Sequence, residues 1–62
     1  MNVTVNGEPR ELAAGTTVHS LVGQARGKAV AVNGAVVRAA DWPTTTLREN
    51  DRVEVVTAHQ GG

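Results

Sequence analysis

The sequence predicts an α+β fold, a mixed sheet of four to five strands with one helix packed across one face. Three observations point there. Two short apolar runs end in the same turn signal, Val3-Thr4-Val5-Asn6-Gly7 and Val30-Ala31-Val32-Asn33-Gly34. Between them, Val18, Leu21, Val22 and Ala25 fall at i, i+3, i+4 and i+7, one apolar stripe of a helix. Behind them, Glu49-Asn50-Asp51 turns into a closing valine-rich run.

Each element has its own justification. Met1, Val3 and Val5 alternate with Asn2, Thr4 and Asn6, the period of a half-buried strand. Asn6-Gly7 fits a type I′ turn, which needs positive φ at both central positions. Pro9 lacks an amide donor and belongs in the turn or at the start of an edge strand. Arg10 to Ala13 forms the return strand with Leu12 on the core face, and Gly15 closes the segment. Thr16 and Thr17 are candidate N-caps for a helix of about ten residues, too short to persist alone in water. His19, Ser20, Gln24 and Arg26 form its polar side, and Gly27 is its expected stop.

Ala29 to Val32 and Ala35 to Val37 form a second hairpin around Asn33-Gly34, which reads as reused turn chemistry. Arg38 to Thr46 is a connection, with a short turn at Asp41-Trp42-Pro43 that lays Trp42 over one core edge. Leu47 plugs the core. Arg52 to Ala58 is the last strand, with Val53 and Val55 on one face and Val56 and Ala58 on the other. Apolar residues on both faces suit a central strand. The order is ββαββ, a connector, then a final strand parallel to the first in the middle of the sheet. This is the β-grasp arrangement, expected over residues 1–58, with a flexible tail over 59–62.

Composition removes several functions. Sixty-two residues allow one marginal domain, since so short a chain buries only about 60% of its unfolded surface. There is no cysteine, and two histidines without a thiol do not build a structural zinc site, so no metal is expected. Six Lys or Arg residues balance six Asp or Glu residues without forming a block of one sign, and Trp42 is the single aromatic, which leaves no basic face or stacking platform for nucleic acid. No targeting segment or long apolar run is visible, so a cytoplasmic protein with no membrane contact is expected. His19-Ser20 is no catalytic dyad, because neighbours on a helix point about 100° apart. Glu49 and Asp51 flank a turn, where acidic residues are ordinary. The chain is not expected to be an enzyme.

The closing residues are Ala58-His59-Gln60-Gly61-Gly62. Glycine has no Cβ, so Gly61-Gly62 is expected to present a carboxylate on a thread narrow enough for another protein's active site. Fully extended, His59 to Gly62 spans roughly 13 Å at about 3.3 Å per residue.

Asp51 to Gly62, together with Val32-Asn33-Gly34-Ala35-Val36-Val37 before Trp42 and Gly15-Thr16-Thr17-Val18 at the helix start, resembles the ThiS family. That is the sulfur carrier of the thiamine pathway, and the likeness covers essentially the whole chain. One departure is that Arg38 stands where the family often has a proline.

The resemblance implies a carrier with no bound cofactor. A ThiF-like enzyme would adenylate Gly62 with ATP, and sulfur from a cysteine persulfide, drawn from a desulfurase, would replace the AMP to give a thiocarboxylate. Thiazole synthase, ThiG-like, would accept that sulfur. Gly61, Gln60 and His59 would thread the partner's tunnel; Val56 is either plain core or, with Ala58, a surface that would dock partners. A carrier similar to the small subunit of molybdopterin synthase is the sibling alternative. A β-grasp interaction module or ubiquitin-like tag without thiocarboxylate chemistry is the other.

Overall fold

Both Asn-Gly pairs turn as their chemistry requires: Asn6 and Gly7 take φ of 51° and 83°, Asn33 and Gly34 take 52° and 85°. All are left-handed values that asparagine tolerates and glycine adopts freely. The computed structural model describes residues 1–57. Around the first turn lie β1 (Asn2–Val5) and β2 (Glu8–Glu11), and around the second lie β3 (Lys28–Val32) and β4 (Ala35–Val37). The helix α1 (Val18–Val22) joins the hairpins, and a 3₁₀ helix over Ala39–Thr44 leads towards β5 (Arg52–Thr57).

The sheet has five strands in the order β2-β1-β5-β3-β4. β5 is central, parallel to β1 and antiparallel to β3. This is the β-grasp topology, as the element order predicts.

Period-two alternation sorts the sheet into two faces. Val3, Val30 and Val53 are buried on one face, and Val5, Val32, Val37 and Val55 pack against the core from it. Val18 from α1, Trp42 from the 3₁₀ helix and Leu47 complete that core. The opposite face is open: Val36 is 77% and Val56 62% exposed. β5 is therefore central, although its second face is not covered. In a mixed sheet, one face can remain in water.

Two elements differ from expectation. The return strand runs Glu8–Glu11 rather than from Arg10, because a two-residue turn at Asn6-Gly7 makes Val5 and Glu8 direct partners. Pro9 sits inside this edge strand opposite Thr4, and Leu12 reaches the core from just beyond it. The helix stops after five residues, with Gly23 at φ 85° as its C-cap and its N–H donating to the His19 carbonyl at 2.8 Å. Ala25 still packs on the core, but from an irregular segment; Gly27 has the expected positive φ (70°) without being the helix stop.

The expected cap is Thr17, whose Oγ1 accepts from Ser20 N at 3.0 Å. The start of α1 is bound to the strand-like segment before Leu47: Val18 N donates to Thr45 O, and Leu47 N to Thr16 O, both at 2.9 Å. Trp42 is fully buried, and its Nε1–H donates to Val37 O at 2.9 Å. Arg38 precedes the 3₁₀ helix at φ −65°, the angle a proline ring imposes, so the arginine leaves the connector's path as a proline would set it.

Candidate functional site

The sheet presents its open face as a shallow apolar trough. Ala29 and Ala31 on β3 have short side chains and form its floor. Val36 on β4 and Val56 on β5 rise on either side, and Glu54 supplies a carboxylate at the rim. The register makes this grouping: Ala31 is opposite Val36 and Glu54, and Ala29 is opposite Val56. The sequence pattern identified Val56 as either core or docking surface; at 62% exposure it is not core. It missed Val36, which is the most exposed large apolar side chain described, because Val36 and Val37 look alike until the strand assigns them opposite faces.

Ala58, His59, Gln60, Gly61 and Gly62 lie outside the described residues. What the structure gives is the strand that leads to them. β5 is paired on one side with β3 as far as Lys28 opposite Thr57. On its other side β1 pairs with it at Thr4–Arg52 and Val5–Val53. Beyond that register the Asn6 side chain takes over: Oδ1 accepts from Val55 N at 2.8 Å, and Nδ2 donates to Val55 O at 3.2 Å. Asn33 does the same work at the strand's start, its Oδ1 accepting from Arg52 N at 2.9 Å and its Nδ2 donating to Asp51 Oδ1 at 2.9 Å. The repeated Val-x-Val-Asn-Gly phrase is thus more than turn chemistry, since each asparagine also binds β5.

The residues that could suggest catalysis are accounted for structurally. Ser20 Oγ lies 3.0 Å from Thr17 Oγ1 within the helix cap, and His19 is exposed. Glu49 Oε1 accepts from Asn2 N at 2.8 Å, and Asp51 Oδ2 from Arg48 N at 2.8 Å, so both carboxylates fasten main chain. Among the described residues, no cluster of three or more His, Cys, Asp or Glu could hold a metal ion. No described helix is long and apolar enough to cross a membrane.

Against known proteins, the ThiS family profile matches residues 3–62. The chain belongs to the ThiS family. Among solved structures, the crystal structure of a thiamine biosynthesis protein (ThiS) from Geobacter metallireducens is 35% identical, with a TM-score of 0.83 and all of both chains covered. The solution NMR structure of a thiamine biosynthesis protein from the same organism is also 35% identical, with a TM-score of 0.77, covering all of this chain and 88% of that one. No curated protein matches. As a ThiS-family chain it is a small carrier and not itself an enzyme.

Proposed function

We propose that this protein carries sulfur for thiazole formation in thiamine biosynthesis, with Gly62 as the bearing residue. The observation that carries the reading is the union of ThiS-family membership with a central strand, fastened on both edges, that leads directly to the diglycine sequence. A carboxylate is a poor electrophile, so it needs activation. The Gly62 carboxylate attacks the α-phosphorus of ATP in a ThiF-like partner, pyrophosphate leaves, and the acyl adenylate forms. The terminal sulfur of a cysteine persulfide, supplied by a cysteine desulfurase, then displaces AMP to give an acyl disulfide. A second thiol attacks the outer sulfur of that disulfide, forms a new disulfide with it and releases the Gly62 thiocarboxylate for a ThiG-like thiazole synthase.

This chain's own residues supply delivery. Gly61 keeps the thread slim, while Gln60 and His59 hydrogen-bond along the partner's tunnel. Val56, with Ala58 beyond it, docks the partner through the apolar trough, which leaves the opposite sheet face free to hold the core. The setting is the cytoplasm, where ATP and the partner enzymes are available.

ATP–pyrophosphate exchange with a thiamine-type activating enzyme tests the reading. Full-length protein supports exchange, and deletion of Gly62 abolishes it. A folded full-length chain that supports none overturns the proposal. Intact mass from the native cell should also show one oxygen-to-sulfur exchange mapped to Gly62.

A further inference from the structure

We infer that Asn6 is a positioning residue for the carrier reaction, its side-chain amide replacing the next rung of β1 and fixing the exit of β5. The inference rests on the reading above. β1 leaves β5 early, because its chain must reverse at Asn6-Gly7. The last main-chain bond along that edge is Asn6 N to Val53 O at 2.8 Å. Val55 is the next residue whose N–H and C=O point to this edge, and the Asn6 amide meets both. One donor and one acceptor on a single planar group reproduce what a peptide unit of a longer β1 would offer.

Turn chemistry alone does not require this group. Glycine would satisfy a φ of 51° equally well but has no amide, and aspartate would lack the donor. Asn33, at the matching turn position, grips the opposite end of β5 at Arg52. The two amides therefore differ in place. Asn33 secures where the strand begins, whereas Asn6 secures Val55, seven residues before Gly62. Without Asn6, the strand from Glu54 onward is held through β3 alone, by the Ala31–Glu54, Val30–Val55, Ala29–Val56 and Lys28–Thr57 pairs. Val56 keeps its partner, so docking persists while the Val55 edge of β5 is released.

The test compares wild type, Asn6→Gly and Asn33→Gly in ATP–pyrophosphate exchange with the activating enzyme. Both substitutions suit the left-handed turn and delete two side-chain hydrogen bonds, so their losses in thermal stability should match. Asn6→Gly should lower kcat about tenfold, the scale of a small misalignment of reacting atoms. Its KM should stay within about twofold, because docking is retained, and Asn33→Gly should keep wild-type kcat to within about twofold. Hydrogen–deuterium exchange at the Val55 amide, read without any enzyme, should speed by about tenfold in Asn6→Gly only. Equal kcat losses in the two variants, wild-type kcat in Asn6→Gly, or an unchanged Val55 amide overturns the inference. Wild-type protein that supports no exchange sinks the carrier reading and the positioning role together. Wild-type turnover with an unaffected Asn6→Gly sinks the positioning role alone.

Discussion

Val53 and Val56 are the same side chain on the same strand, and the faces they occupy predict opposite outcomes for the same truncation. Val53 is 1% exposed in the core, while Val56 is 62% exposed on the trough. Alanine removes both γ-methyls. At Val53 this forfeits about 1.6 kcal/mol of transfer free energy at about 0.8 kcal/mol per group, and the cavity raises the total to about 2 to 3 kcal/mol.

For a domain this small, 1 kcal/mol moves Tm by about 4–8 °C, so Val53→Ala should melt on the order of 10–20 °C lower. At Val56 the same methyls are mostly wet already, and the loss should be about 0.5–1 kcal/mol, including lost β propensity. Activity should reverse the ranking. Val56→Ala should raise the KM for the carrier in ATP–pyrophosphate exchange by about five- to tenfold, as truncation of an interface anchor does. Val53→Ala, assayed well below its Tm, should leave KM unchanged. Thermal unfolding followed by circular dichroism and steady-state exchange kinetics measure the two effects separately. Equal destabilisation by the two variants, or a raised KM confined to Val53→Ala, would refute the assignment of faces.

Other perturbations probe single contacts. Thr17→Ala removes the cap acceptor for Ser20 N and should cost about 1 kcal/mol, measurable by urea denaturation. Trp42→Phe removes the Nε1–H bond to the Val37 carbonyl and leaves a void in the core, so a loss of about 2–3 kcal/mol is expected by the same measurement. Gly61→Ala should melt like wild type yet lower adenylation of Gly62 by at least about tenfold, because a Cβ thickens the thread at the tunnel. Normal turnover by that variant would show that the tunnel does not discriminate at Gly61.

Much of this architecture is legible in the residues because local signals agree with one another. Alternating valines define β1, Asn-Gly defines both reversals, and a valine-rich run after Glu49-Asn50-Asp51 defines β5. Leu47 is the core plug its isolated position implies. The helix misleads for a physical reason. Ala25 has the spacing of a fourth stripe residue and does touch the core, but a left-handed Gly23 has already ended the helix. Periodicity reports which residues are buried more faithfully than it reports backbone conformation. Pro9 was compatible with a strand start, and the two-residue turn fixes where that start falls.

The candidate site divides in the same way. Val56 is visible as an apolar residue on the second face of β5, but its trough requires β3 and β4 to be in register beside it. The grips of Asn6 and Asn33 on β5 join residues 49 and 19 positions apart, beyond any short-range pattern.

The sheet's order also governs how the protein can be made. The two hairpins flank β5 and have no edge in common, so the last strand to be synthesised is the keystone that joins them. A nascent chain that has not yet produced Arg52–Thr57 has two hairpins with no strand between them and lacks Val53 at the centre of the core. Folding should therefore wait until β5 has been made, and a chain truncated before Arg52 should not persist in the native arrangement.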